Sequence, residues 1–169
     1  MVKLHPKKRS MFSHTKLFQK AINQIYKMKV WSSENSSILE WCPIRENALV
    51  YASATPSTVT ENPTLTLNKF NFLQFDPTPE PIATFESSSP FTTLSWTTYQ
   101  NQDFGLLSSG HADGSIDLYL PSQKSKVASL NYYNSDITCL KFNPTQSNVL
   151  LSVSANNEIC IWDVTNPEN

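Results

Sequence analysis

Short apolar runs separated by polar segments characterise the chain from Val30 onward. Ser, Thr, Asn, Asp and Pro fill the gaps between the runs, which is typical of β-strands bounded by turns. Every proline except Pro6 lies in this region, between runs or at their ends, where a missing N–H interrupts no strand pairing. The pattern therefore predicts an all-β chain after the first 30 residues.

One combination, leucine followed by any residue and then an aromatic, occurs three times. The copies are Leu39-Glu40-Trp41, Leu94-Ser95-Trp96 and Leu140-Lys141-Phe142, so the leucines are 55 and 46 residues apart. Self-similarity at such a period is the signature of a repeat architecture.

Two further predicted strands follow each copy. The second strands begin at Leu49, Leu106 and Val149, and the third strands span Leu65–Phe70, Ser115–Tyr119 and Glu158–Asp163. Before the third strand, copy two has an Asp113-Gly114 turn, where glycine supplies the positive φ of a tight hairpin. Copy three has the turn Ala155–Asn157, and copy one has a loop from Thr55 to Pro63.

Outer strands are predicted at Pro81–Phe85 and Lys126–Leu130, with no equivalent in the third copy. A four-stranded unit repeated about every 45 residues is a β-propeller blade. We therefore expect an incomplete β-propeller over 30–169, with about two and two-thirds blades at 36–86, 91–131 and 136–165.

The third unit resembles a WD repeat, whose third strand commonly closes with the dipeptide found here as Trp162-Asp163. Copy two keeps the Asp-Gly turn of that pattern but has Tyr119-Leu120 in place of the dipeptide. The resemblance thus implies a partial WD-repeat β-propeller as the fold class. The residues predicted to define its repeats are Leu39, Trp41, Leu94, Trp96, Asp113, Gly114, Leu140, Phe142, Trp162 and Asp163.

From Met28 onward the chain resembles the N-terminal part of the larger outer-coat subunit of the COPII vesicle coat. That family opens with Met-Lys and a first strand ending aromatic-x-Pro, as in Met28-Lys29 and Trp41-Cys42-Pro43. It has a long loop in the first blade, matched by 53–64, and strands like those of Asp113–Tyr119 and Asn157–Asp163. Residues 1–27 lie outside the family pattern.

The resemblance implies a non-catalytic scaffold in vesicle transport from the endoplasmic reticulum to the Golgi. It implies other COPII coat subunits as partners, no cofactor, and a cytoplasmic location with peripheral association at the endoplasmic reticulum membrane and coated vesicles. The family continues into a seven-bladed propeller, a short blade donated to its smaller partner, an α-solenoid and a Pro-rich tail, so coat assembly is expected of a longer chain.

The segment 1–29 differs from the rest, because it contains Lys and Arg but no acidic residue. Apolar residues from Thr15 to Met28 recur at three- and four-residue spacing, which predicts a basic amphipathic helix capped by Ser13 or Thr15. Its function stays open between a targeting presequence, a membrane-surface helix, a nuclear signal at Lys7-Lys8-Arg9 and a disordered tail.

Composition narrows the remaining functions. The 39% hydrophobic content supports a core, but no apolar run is long enough to cross a bilayer as a helix. Cys42, Cys139 and Cys160 lack metal or redox spacing and favour a reducing compartment. Neither a metal site nor a transmembrane segment is predicted. The net charge of −1 is the sum of a basic first segment and an acidic remainder. The acidic remainder would repel nucleic acid.

Two groups of residues could form a functional site or serve only a structural role. Ser109, His111 and Asp113 form the one local cluster of potential catalytic groups, but we expect a surface turn in which alternating residues point in different directions. No catalytic residue is therefore predicted. Core packing is preferred over nucleic-acid stacking for the strand aromatics Trp41, Trp96, Phe142 and Trp162.

A ring of fewer than three blades cannot close, so we expect uncovered blade faces and self-association, or completion by another chain. Two alternatives to the coat scaffold remain open. One is a WD-repeat adaptor of another pathway, completed by self-association. The other is an organelle-targeted protein that uses the basic N-terminal helix.

Overall fold

The described part of the chain contains eleven β-strands. The computed structural model describes residues 38–44, 49–55, 62–70, 79–100 and 102–166. The strands are β1 Ile38–Trp41, β2 Leu49–Ala54, β3 Thr64–Phe70, β4 Glu80–Glu86, β5 Phe91–Thr97, β6 Leu106–His111, β7 Ser115–Leu120, β8 Ser125–Asn131, β9 Ile137–Phe142, β10 Val149–Ser154 and β11 Ile159–Asp163.

All these strands belong to one compact unit, Ser33–Asn169. A second unit, Met1–Ser32, lies outside the described residues, as does the helix predicted from Thr15 to Met28. No helix long and apolar enough to span a membrane occurs among the described residues.

The strands form three antiparallel sheets in chain order. Blade 1 has the order β1-β2-β3-β4, blade 2 has β5-β6-β7-β8, and blade 3 has β9, β10 and β11. This confirms the predicted all-β partial propeller of two four-stranded units and one three-stranded unit. The outer strands predicted near Pro81 and Lys126 are β4 and β8.

The three Leu-x-aromatic copies occupy the same register in their sheets. Leu39 lies opposite Ser53, Leu94 opposite Ser109, and Leu140 opposite Ser152, in each case on the first and second strands of a blade. The first strands also lie next to one another, β1 beside β5 and β5 beside β9. The blades therefore repeat one arrangement around the inner edge.

Apolar side chains fill the spaces between the blades. Between blades 1 and 2 the core includes Leu65, Leu67, Phe85, Leu94, Trp96 and Tyr119. Between blades 2 and 3 it includes Leu106, Ile116, Leu118, Leu140, Phe142 and Leu150. Blade 2 is thus covered on both faces, since alternate residues of one strand point to opposite sides of the sheet.

Two glycines are required by the backbone and by close packing. Gly114 has a φ of +88° in the turn between β6 and β7, and a Cβ there would lie 2.5 Å from the Tyr133 carbonyl oxygen. In the same turn Asp113 Oδ1 accepts hydrogen bonds from the Ser115 amide (3.0 Å) and hydroxyl (2.7 Å). A Cβ on Gly110 would lie 2.6 Å from Ile137 Cγ2, so blade 3 packs directly on the backbone of β6.

The prediction that Trp41 packs in the core is wrong. Its side chain is 60% exposed, and Leu39 in the same strand is 63% exposed, whereas Leu94 and Leu140 are buried. The first-strand leucine and aromatic of blades 2 and 3 face the preceding blade, and no described residues form a blade before blade 1. Ile159 and Ile161 of β11 are likewise exposed, because no described residues cover that side of the strand.

We predict that Gly110→Ala lowers the free energy of unfolding by about 1–3 kcal/mol, because the new methyl group overpacks the interface against Ile137. Denaturant unfolding of the full chain measures this. In an Ile137→Ala background the cost of Gly110→Ala should be smaller, because the contact with Cγ2 is gone, while the contacts with the Cβ of residue 137 (2.8 Å) and Thr93 Cγ2 (2.9 Å) remain. Equal costs in both backgrounds would contradict the close contact.

Candidate functional site

A serine on the second strand of each blade is hydrogen-bonded to the third strand. Asn68 Nδ2 donates to Ser53 Oγ (3.2 Å) in blade 1, and Trp162 Nε1 donates to Ser152 Oγ (2.7 Å) in blade 3. In blade 2 the Ser109 hydroxyl donates to the Tyr119 hydroxyl oxygen (3.3 Å). In each blade the serine pairs with one residue of the third strand, and its hydrogen-bond partner (Asn68, Tyr119 or Trp162) lies two positions further along that strand. The bond is therefore a repeated feature of the fold.

In blade 3 the serine connects three segments. The Tyr133 hydroxyl, just before β9, lies 2.7 Å from Ser152 Oγ, which also accepts from Trp162. Ser152 is fully buried, and burial raises the pKa of Tyr133. This cluster joins the segment between blades 2 and 3 to the last two strands.

Blade 2 contains a larger polar network centred on His111. His111 Nε2 lies 2.9 Å from Ser109 Oγ and 3.4 Å from Asp117 Oδ2. The Tyr119 hydroxyl donates to Asp117 Oδ2 (3.3 Å). His111 Nδ1 lies 3.2 Å from the Ser89 carbonyl oxygen, in the segment connecting blades 1 and 2. The network thus ties β6 and β7 to the segment that connects them to the preceding blade.

Asp117 is the negative centre of this network. Burial raises the pKa of its carboxyl, but hydrogen bonds from His111 and Ser129 and the attraction of His111 and Lys126 lower it to about 2. Ser129 Oγ donates to Oδ1 (2.5 Å), and Lys126 Nζ lies 3.3 Å from Oδ2. Burial likewise raises the pKa of Tyr119. The carboxylate therefore stays charged inside the interface because several donors surround it.

The expected placement of the Ser109, His111 and Asp113 cluster is wrong in two respects. His111 ends β6 and is fully buried, so it does not lie in a surface turn. Ser109 and His111 point to the same side, because residues two apart in a strand share a face. Asp113 is exposed and bonds within its own turn.

The geometry of this cluster favours a structural role. In a Ser-His-Asp triad the hydroxyl and the carboxylate bond to opposite nitrogens of the imidazole. Here Ser109 and Asp117 both lie on the Nε2 side, and Nδ1 faces the Ser87 hydroxyl (3.2 Å) and the Ser89 backbone carbonyl in the segment that connects blades 1 and 2. Ser109 and His111 are both fully buried, so neither presents a reactive atom to solvent. What the arrangement does is hold strands and blades in register.

The remaining predicted repeat residues lie at the interfaces and strand ends. Trp96 and Phe142 are buried and Trp162 is partly buried, which is unsuited to stacking on nucleic-acid bases. Asp163 is exposed, and hydrogen bonds from Thr165 and Asn148 lower the pKa of its carboxyl. Asp163 therefore fixes the chain where it leaves β11.

A cavity of about 620 Å³ opens where the loops between first and second strands meet. Its lining comes from all three blades and consists of Ile44, Thr98, Tyr99, Gln100, Gln102, Asp103 and Ser147. Hydrogen bonds from Tyr99 (2.6 Å) and Gln100 (3.1 Å) to the Thr165 carbonyl hold the blade 2 loop on blade 3. This end of the blades therefore offers a shaped polar surface.

Comparison with known proteins supports the repeat assignment. Residues 124–163, from just before β8 to the end of β11, match the family model described as "WD domain, G-beta repeat". The C-terminal WD40 domain of Sif2 superposes with a TM-score of 0.63 at 19% identity, over 83% of this chain and 37% of that chain. The fold is a WD40 propeller fold. A chain from Chaetomium thermophilum Polycomb Repressive Complex 2 superposes with a TM-score of 0.66 at 15% identity, over 82% of this chain and 31% of that chain.

Similar curated proteins carry protein transport names. Protein transport protein SEC31 homolog B of Arabidopsis thaliana is 30% identical over an alignment of 128 positions, which covers 69% of this chain and 12% of that protein. Protein transport protein SEC31 of Saccharomyces cerevisiae is 32% identical over 89 residues, 50% of this chain and 7% of that protein. The chain thus spans a small part of the length of these relatives.

We predict that Ser152→Ala lowers the free energy of unfolding by about 1–3 kcal/mol, because the Trp162 indole N–H and the Tyr133 hydroxyl lose their shared partner. Urea unfolding measures the loss. The matched control is Ser122→Ala at an exposed serine, which should change stability by less than about 0.5 kcal/mol. Similar effects of both substitutions would argue against the cluster.

The depressed pKa of Asp117 predicts a pH-dependent contribution to stability. The carboxyl has a pKa near 3.9 when unfolded and about 2 when folded, so its contribution is present above pH 4 and is lost as the pH falls toward 2. We expect Asp117→Asn to lower stability at pH 7 by about 2 kcal/mol, and the difference from the parent chain to shrink across that window.

Unfolding free energies at a series of pH values test this contribution. Ser129→Ala retains the carboxyl but removes one of its donors, which raises the folded-state pKa of Asp117, so the loss of stability should be smaller and should be complete at a higher pH than in the parent chain. A difference between the parent and Asp117→Asn that stays constant from pH 7 to 2 would refute the assignment.

Proposed function

We propose that this chain is a non-catalytic scaffold similar to the N-terminal propeller of the larger COPII outer-coat subunit, acting in transport from the endoplasmic reticulum to the Golgi. The main support is the similarity, over an alignment of 128 positions, to a protein named as a SEC31 transport protein, which extends beyond the single matched WD repeat. The order of the irregular first blade, the Asp-Gly turn and the Trp-Asp strand supports the same proposal.

The buried polar groups support a scaffold role. Ser109, His111, Asp117 and Tyr119 bond to one another between blades 1 and 2, which keeps them away from solvent. This network, with the bond from His111 to Ser89, fixes blade 2 to the segment that joins it to blade 1 and leaves the exposed loops to make contacts. Function on this framework then depends on surfaces and on partners.

The cavity at the loop end is the surface that we assign to a coat partner. At the opposite end, tight hairpins such as the one at Asp113-Gly114 use their polar groups internally. At the cavity, the Gln100 side chain anchors its loop to the Thr165 carbonyl, and the exposed Asp103 side chain lies on the same loop. A preformed polar cavity with a carboxylate at its edge suits a partner segment that carries hydrogen-bond donors and positive charge.

The test is co-sedimentation of the purified full chain with the smaller outer-coat subunit and, separately, with the inner coat. We expect saturable binding to at least one of them. Asp103→Lys should weaken that binding about tenfold or more, because like charges then meet at the interface. Asp136→Lys makes the same charge change at an exposed position at the opposite end and should leave binding unchanged.

Other results would favour the alternatives. No binding to either coat component would favour a WD-repeat adaptor of another pathway. If a reporter fused to residues 1–29 alone reaches an organelle, the basic segment would be the functional element. If Asp103→Lys and Asp136→Lys weaken coat binding equally, the cavity is not the binding surface, although the chain still binds the coat.

A further inference from the structure

An aspartate at the end of β11 organises the turn that follows it. Asp163 Oδ1 accepts hydrogen bonds from the Thr165 amide (3.0 Å) and from the Thr165 hydroxyl. In the turn between β6 and β7, Asp113 Oδ1 accepts from the Ser115 amide (3.0 Å) and hydroxyl (2.7 Å) in the same way. The two turns therefore share one local motif, an aspartate that accepts from the amide and hydroxyl of the second residue after it.

The turn at Asp163 is also connected to blade 2. The Thr165 carbonyl oxygen accepts from the Tyr99 hydroxyl (2.6 Å) and from Gln100 Nε2 (3.1 Å). Tyr99 and Gln100 belong to the β5–β6 loop and line the cavity at the loop end. One wall of the cavity is thus attached to a carbonyl group whose position depends on Asp163.

The same aspartate holds the β9–β10 loop. Asn148 Nδ2 donates to Asp163 Oδ1 (3.0 Å) and to the Thr165 hydroxyl oxygen (3.0 Å). The Asn148 carbonyl oxygen also accepts from the Val164 amide (2.8 Å). The neighbouring Ser147 lines the cavity from blade 3. Two cavity walls, from two different blades, are therefore joined through Asp163.

The backbone of the β5–β6 loop depends on this attachment. Gln100 has a φ of +37°, in the left-handed region that residues other than glycine seldom adopt, and such a conformation persists where surrounding contacts hold it. At the end of the loop, a Cβ on Gly105 would lie 2.0 Å from the Thr97 carbonyl oxygen and 3.0 Å from Ile44 Cδ1. Close packing thus fixes the end of the loop, and the bonds to Thr165 fix its middle.

We propose that Asp163 is the positioning residue of the cavity, because it holds two walls in place although the lining among the described residues does not include it. This inference rests on the proposed function, since it concerns the same cavity and adds the device that shapes it. Loss of the carboxylate releases Thr165 and Asn148 together, so a partner would have to order two loops when it binds. Ordering flexible groups lowers affinity, so the loss appears in binding without any contact between Asp163 and the partner.

Hydrogen exchange of the full chain tests the connection without any partner. The Gln102 amide donates to the Tyr99 carbonyl (2.7 Å) and the Gly105 amide donates to the Gln102 carbonyl (3.1 Å), so both amides report on the β5–β6 loop. We expect Asp163→Ala to speed their exchange about fivefold or more, because the loop opens more easily. Asp163→Asn keeps the Oδ1 acceptor and should restore most of the protection.

Asp113→Ala is the matched control for loss of the turn motif. It removes the same two hydrogen bonds at the opposite end of the blades, so it should leave exchange in the β5–β6 loop unchanged. Tyr99→Phe breaks the connection from the blade 2 side, because it removes the hydroxyl that donates to Thr165. It should speed exchange of the Gly105 amide, and combining it with Asp163→Ala should add little, because both substitutions break one connection.

Binding to the coat component that associates with the parent chain is the second measurement. We expect Asp163→Ala to weaken that binding about fivefold or more, because the cavity is no longer held in shape before the partner arrives. Asp163→Asn should weaken it less, and Asp113→Ala should leave it unchanged. A purely structural role would make the two alanine variants behave alike.

The inference is overturned if Asp163→Ala leaves exchange at Gln102 and Gly105 unchanged, or if Asp113→Ala speeds that exchange equally. It is also overturned if Asp163→Asn behaves like Asp163→Ala, or if the loop opens while coat binding stays at the parent level. If no coat component binds the parent chain, the proposed function fails, and the exchange measurements still decide whether Asp163 holds the cavity walls. Circular dichroism checks that each variant is folded, and Tyr99→Phe replaces Asp163→Ala in both measurements if the latter does not fold.

Discussion

Packing of one blade against the next is the interaction on which the rest of this structure depends. A single antiparallel sheet has no closed interior, and its apolar residues become buried only when another sheet covers them. Leu65 and Leu67 of blade 1 are fully buried because one face of blade 2 lies against them. Leu140 of blade 3 is fully buried because the opposite face of blade 2 lies against it. Blade 2 therefore supports both neighbours.

Polar groups specify how the blades meet. Apolar packing alone tolerates small slips between sheets, whereas a buried hydrogen bond costs free energy when its partner moves away. His111 bonds to Ser89 between blades 1 and 2, and Tyr133 bonds to Ser152 between blades 2 and 3. Both contacts cross from a connecting segment into a strand, so they fix the position of a whole blade.

Local features of the fold could be predicted from the sequence, and features that depend on a neighbouring blade could not. Asp113-Gly114 indicates its hairpin because the turn needs a positive φ within a few residues. The surroundings of His111 depend on Ser87 and Ser89, which contact its Nδ1 from a segment distant in the sequence, and it shares a face of β6 with Ser109 because the two residues are two positions apart in a strand. A serine in all three second strands was the available signal for the network.

Leu39 shows why a repeated motif does not guarantee a repeated environment. Its register matches that of Leu94 and Leu140, yet its side chain is largely exposed while theirs are buried. Sequence pattern determines the face of the sheet on which a side chain lies, and the presence of a neighbouring blade determines whether that face is covered. The exposure of Leu39 among the described residues is therefore explained by what lies beside its sheet and not by its register within the sheet.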